Sequence, residues 1–80
     1  LNKGKEMIKE NQVIEMINKT LEMNLDAKTT PTDVALKELG IDSLDFYSVL
    51  VELENMTDKK VPDEDLERIL TINDVTAYFS

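Results

Sequence analysis

The chain has 80 residues, a formal net charge of −8 from 17 acidic and 9 basic side chains, and neither cysteine nor histidine. That length fits one domain with one small core, and the missing residue types exclude a disulfide framework, a zinc cluster and any thiol or imidazole catalyst. The acidity argues against nucleic acid and anionic membrane and for basic partner surfaces, no apolar run approaches a membrane span or a signal peptide, and the chain reads as cytoplasmic.

Residues 1–6 (Leu-Asn-Lys-Gly-Lys-Glu) are polar and lack an apolar face. They read as a flexible N-terminal extension or an expression leftover, ahead of a domain over residues 7–80. A helical period predicts the first helix over about residues 7–23. Met7, Ile14 and Leu21 lie seven apart, with Val13 and Ile17 in the same stripe. Residues 24–30 read as loop with Leu25 tucked inward. Thr30-Pro31-Thr32-Asp33 then looks like a helix start, with a Thr cap, Pro at N1 and Asp at N3. Val34, Leu36 and Leu39 would support one or two turns before Gly40 ends them in a left-handed conformation.

The best amphipathic helix follows, over residues 43–56. Asp42 is a good N-cap with Asp45 at N3, and Ile41 and Phe46 occupy the positions of a hydrophobic staple. Ser43 falls on the first turn, beside backbone N–H groups that have no helical partner. Such a place tolerates an added phosphodiester, because helix N-termini favour anions. At 100° per residue, Phe46, Val49, Leu50, Leu53 and Met56 form a core stripe. Leu44, Tyr47 and Val51 form a second stripe, with Ser48, Glu52 and Asn55 between the two. The second stripe either packs under the neighbouring loop or stays exposed with an acidic margin, as a docking surface does. A four-helix domain this small can hardly bury both stripes, so exposure is favoured.

Asp58-Lys59-Lys60 reads as loop, with Val61 turned inward and Pro62 at N1 of a short third helix. Asp63, Glu64 and Asp65 suit its dipole, and Leu66, Ile69 and Leu70 give it an apolar side. Thr71 caps a last helix with Asp74 at N3 and Ile72, Val75 and Phe79 as its core stripe. The predicted fold is all-α: a four-helix bundle with two long and two shorter helices and a long loop between the first and second. No phosphate cradle, catalytic triad, paired-carboxylate cleft, calcium loop or metal site is visible, so no enzyme is expected.

Gly40-Ile41-Asp42-Ser43-Leu44-Asp45 resembles the Asp-Ser-Leu attachment motif of the acyl carrier protein family. The similarity runs from about Val13 to Phe79 and includes Val61-Pro62-Asp63-Glu64-Asp65 and Thr71-Ile72-Asn73-Asp74-Val75. In that family the serine carries a 4′-phosphopantetheine arm whose terminal thiol holds acyl chains as thioesters. The resemblance implies that Ser43 is the covalent attachment site. A phosphopantetheinyl transferase would install the arm from coenzyme A with a divalent cation. It further implies a monomeric phosphoprotein serving fatty-acid, polyketide or related lipid biosynthesis, with acyl-transfer and chain-elongation enzymes as partners through basic docking patches. Asp42 and Asp45 would orient those partners, Glu52 would lie on the acidic margin, and Leu44, Tyr47, Val51 and Ile69 would supply apolar contact.

The chain also departs from the family pattern. Ser48 stands where a glutamate is frequent, Tyr47 is bulkier than the usual aliphatic, and Thr57 replaces a common core phenylalanine, leaving Met56 to fill that space. Lys59 and Lys60 lighten the usual acidity, and no large aromatic stands near Ala35. The changes at Tyr47 and Ser48 incline towards a specialised pathway. A peptidyl or aminoacyl carrier is an alternative, disfavoured because Gly40-Ile41-Asp42-Ser43 lacks that group's double glycine. A helical interaction module without an arm is the other.

Overall fold

A computed structural model describes residues 8–79 of the chain. Residues 1–6, Met7 and Ser80, on which the reading of an extension and of a helix start rested, lie outside the described residues. The apolar stripe of the first segment builds α1, Glu10–Leu21, with Val13, Ile14 and Ile17 buried on one face. It starts later than the periodicity predicts, because Ile8 enters the core before the helix begins. Lys9, at the N-cap, has no side-chain acceptor, so the capping runs backwards: its backbone N–H donates to Gln12 Oε1 at 2.9 Å. The helix also stops earlier, at Glu22, whose φ of 56° is left-handed. Met23 therefore follows the turn and packs on the core from the loop.

Asn18 fastens that loop to α1. Its Nδ2 donates to the Leu25 carbonyl at 2.9 Å, and its Oδ1 accepts the Leu25 N–H at 2.8 Å. Leu25 is thereby turned onto the core, as its apolarity predicts. The helix start expected at Thr30-Pro31-Thr32-Asp33 does not form. Those residues are extended or bent, and only Leu36–Leu39 make a short 3₁₀ turn. Tertiary hydrogen bonds override the local signal. The Thr32 carbonyl accepts the Asn73 N–H at 2.9 Å, Ala35 bridges antiparallel to Thr71, and the Leu36 N–H donates to the Leu70 carbonyl at 2.8 Å.

The long helix α2, Ser43–Thr57, buries Val49, Leu50 and Leu53 against α1. Its core stripe is one residue shorter than predicted, because Met56 is 51 % exposed. Met56 therefore does not replace the missing phenylalanine at Thr57. The Thr57 hydroxyl instead donates to the Leu53 carbonyl at 2.7 Å, which satisfies it within the helix. Asp58 ends α2 in a left-handed conformation, φ 62°.

A single turn, α3, spans Asp63–Leu66, with Pro62 as its N-cap rather than at N1. None of its residues is buried, and side-chain bonds hold the region in place. Glu54 Oε2 accepts the Val61 N–H at 2.7 Å, and the Tyr78 hydroxyl donates to Asp65 Oδ2 at 2.9 Å. Lys59 Nζ donates to the Tyr78 carbonyl at 2.7 Å and lies 5.2 Å from that ring's centre. The last helix, α4, Ile72–Phe79, packs on α1 through Ile72, Val75 and Phe79, as predicted. Its start is a complete capping box. The Asp74 N–H donates to Thr71 Oγ1 at 3.0 Å, and the Thr71 N–H donates to Asp74 Oδ2 at 3.1 Å. Among the described residues the structure has four α-helices, and the core contains no buried polar side chain. The all-α bundle read from the sequence is the fold observed.

Candidate functional site

Gly40 sets up the entry to α2. Its φ of 89° is left-handed, and its N–H donates to the Leu36 and Lys37 carbonyls, which closes the 3₁₀ turn. A Cβ added there would meet no atom within 4 Å, so the backbone conformation, not space, requires glycine. The chain then turns inward, and Ile41 is buried at 3 % exposure.

Asp42 follows as the N-cap, and its Oδ1 accepts the Asp45 N–H at 2.9 Å. Among the described residues only this forward half of a capping box forms at α2. The cap fixes the first turn, leaving the Ser43 side chain exposed at its start. A hydroxyl there faces the positive end of a 15-residue helix, a favourable place for a phosphodiester.

Beside Ser43 lies a cavity of about 460 Å³. Its apolar wall comes from Leu36, Ile41, Phe46, Ile69 and Leu70, and Ala35, Lys37, Asp42 and Ser43 complete the lining. The staple pair Ile41 and Phe46 thus shares one wall of the cavity. The bond from the Leu36 N–H to the Leu70 carbonyl joins two of the stretches that line it.

The structure divides the other sequence-derived contact residues. Leu44 is 80 % exposed and Tyr47 57 %, with Val51 half-buried, so the second stripe of α2 does face solvent. Asp42 and Glu52 are exposed along it, and Asp45 is half-buried. The Ser48 hydroxyl donates to the Leu44 carbonyl at 3.2 Å and so turns back onto its own helix. Ile69 does not join the strip. It is 5 % exposed and forms part of the cavity wall. Leu70, read from the sequence as part of the apolar side of a third helix, lies beyond α3 and is 59 % exposed. The signal was present: adjacent apolar residues on a helix would point about 100° apart, so Ile69 and Leu70 cannot share one narrow stripe. Lys37 and Phe46 also line the cavity, which sequence spacing alone did not reveal.

Among the described residues no cluster of carboxylates could hold a metal ion, and no helix is long and apolar enough to cross a membrane. A phosphopantetheine attachment-site family model matches residues 11–79. The chain is 38 % identical to an acyl carrier protein of Helicobacter pylori (strain ATCC 700392 / 26695) over 58 residues, 71 % of this chain and 74 % of that protein. It is 36 % identical to an acyl carrier protein of Syntrophus aciditrophicus (strain SB) over 72 residues, 90 % of this chain and 89 % of that one. The chain belongs to the acyl carrier protein family. No solved structure matches it significantly.

Family membership carries a covalently attached 4′-phosphopantetheine and a carrier role rather than catalysis. Acyl carrier proteins deal with a phosphopantetheinyl transferase and with biosynthetic enzymes. The residues around Ser43 fit the prosthetic group. The exposed hydroxyl would offer the ester oxygen, the start of α2 would favour the phosphate, and the neighbouring cavity would offer apolar wall to the chain beyond it.

Proposed function

We propose that Ser43 is esterified by 4′-phosphopantetheine and that the chain presents acyl groups to successive enzymes of fatty-acid, polyketide or related biosynthesis in the cytoplasm. The observation that carries this reading is the exposed Ser43 hydroxyl, set by the Asp42 cap on the first turn of α2 within a carrier-family chain. When bound, the arm supplies a thiol that can hold acyl cargo as a thioester. The protein's part is to keep the attachment oxygen accessible and to offer partners a surface. Asp42, Asp45 and Glu52 give that surface negative charge for steering, and Leu44, Tyr47 and Val51 give it apolar contact. Ile69 contributes from the cavity wall. The bulk of Tyr47 and a Ser48 hydroxyl bonded back to its own helix favour a specialised partner set over the most general one.

The test uses a property of the composition. With no cysteine in its sequence, the unmodified chain has no thiol. Incubation with coenzyme A, magnesium and a broad-specificity transferase should add the arm's mass and make the protein reactive to a thiol reagent. Ser43→Ala should abolish both changes while keeping its helical circular dichroism, because Asp42 still caps α2. Equal mass gain in Ser43→Ala would place the attachment elsewhere.

A further inference from the structure

Leu70 is the one feature of the cavity that attachment at Ser43 does not already explain. A single exposed leucine is ordinary. This one, however, is 59 % exposed at the wall of the cavity that Ser43 also lines. Its backbone is held from both sides. The Leu70 carbonyl accepts the Leu36 N–H at 2.8 Å, and the Leu70 N–H donates to Asp74 Oδ2 at 2.9 Å. The next residue, Thr71, shares that carboxylate oxygen and pairs with Ala35. An apolar side chain is thus presented from a fixed backbone, next to the point where an arm would begin.

We infer that Leu70 is the contact that holds the near end of the arm: its dimethyl-substituted carbon, which follows closely on the phosphate, packs on the Leu70 side chain. The inference rests on attachment at Ser43. A tethered group meets a neighbouring surface intramolecularly, so the contact bears no cost of bimolecular encounter. The cavity volume of about 460 Å³ is of the size that holds small organic groups. Leu44, Tyr47 and Val51 do not line this cavity, which leaves the strip on α2 for partner proteins and Leu70 for the arm.

The test is an isotope-filtered nuclear Overhauser measurement on uniformly ¹³C,¹⁵N-labelled protein carrying an unlabelled arm. Intact mass first confirms loading. The arm's geminal methyl protons should then give cross-peaks to the Leu70 methyl groups. In Leu70→Ala that intact mass shows to be loaded, the arm methyls should lose their remaining contacts along the cavity wall. Met56→Ala serves as control, because Met56 is 51 % exposed but lies about 20 Å along α2 from Ser43, so the Leu70 cross-peaks should persist. Loaded protein whose arm methyls give no cross-peak to Leu70, or contact Leu44 and Tyr47 instead, would overturn the inference while leaving attachment intact. A chain that gains no mass overturns the attachment reading and this inference with it. The cross-peaks of the unaltered protein decide the matter even if a variant folds poorly.

Discussion

Truncating Tyr47 to alanine separates a docking residue from a core residue by magnitude alone. Complete burial of a large apolar side chain is worth about 1.5–3 kcal/mol. Tyr47 is 57 % exposed, so less than half of that is at stake, about 1 kcal/mol. Alanine is the better helix former and returns about 0.5 kcal/mol, which leaves a net loss of about 0.5 kcal/mol. In a domain of this size that lowers the melting temperature by about 2–4 °C. Leu53, at 0 % exposure, is the reference, since Leu53→Ala should cost about 2–5 kcal/mol. Thermal melts followed by circular dichroism would compare the two variants. The initial rate of arm transfer from coenzyme A then reads the functional side. Loss of a central apolar contact of about 1.4 kcal/mol would slow transfer about tenfold under subsaturating protein. If Tyr47→Ala melted as early as Leu53→Ala, the tyrosine would be part of the core and the strip on α2 would not be a docking surface.

Asp45→Lys should slow arm transfer through association, and raising salt should reproduce part of the effect, since exposed charges are screened over about 10 Å at 0.1 M; the α2 cap survives, because Asp42 accepts the backbone N–H of residue 45 rather than its side chain. Asn18→Ala removes both hydrogen bonds to Leu25 and should cost about 2 kcal/mol in urea denaturation, at about 1 kcal/mol for each bond. Tyr78 should give stability an alkaline dependence. Partial burial, the hydrogen bond to Asp65 and the charges of Asp65 and Glu54 raise its phenol above the ordinary value of 10.0. Its contribution is therefore fully present below that ordinary value and lost as pH rises through the higher folded value. Denaturation midpoints measured across that range should fall for the native chain and fall less for Tyr78→Phe.

Local chemistry was legible wherever a residue's nearest partners lie within a turn or two. Asp42, Thr71 and Asp74 cap their helices as their spacing predicts, and Ile72, Val75 and Phe79 face the core. The exposure of Leu44 and Tyr47 followed from having more apolar stripe than so small a bundle can cover. Misreadings arose where distant residues decide. Thr30-Pro31-Thr32-Asp33 carries a sound helix-start pattern, but Thr32 and its neighbours bond to the head of α4 and stay extended. Met56 falls in register with the core stripe yet remains exposed at 51 %. The cavity beside Ser43 was not legible, since its walls come from three separate stretches of chain.

The stitching of the long loop to the head of α4 also implies an order of assembly. The bonds from Leu36 to Leu70 and from Asn73 to Thr32 join residues far apart in sequence. Closing so large a loop costs entropy before either bond returns anything, whereas the helical turns of α1 and α2 form from near neighbours. The helices should therefore assemble first and the loop should fasten last. The same seam should open first in the native protein. Hydrogen exchange should then show the Leu36 and Asn73 amides exchanging together, faster than those of Val49 to Leu53 in the core of α2. Each such opening unfastens Leu70 from Leu36, so the breathing of this seam sets how long the wall beside Ser43 keeps its shape.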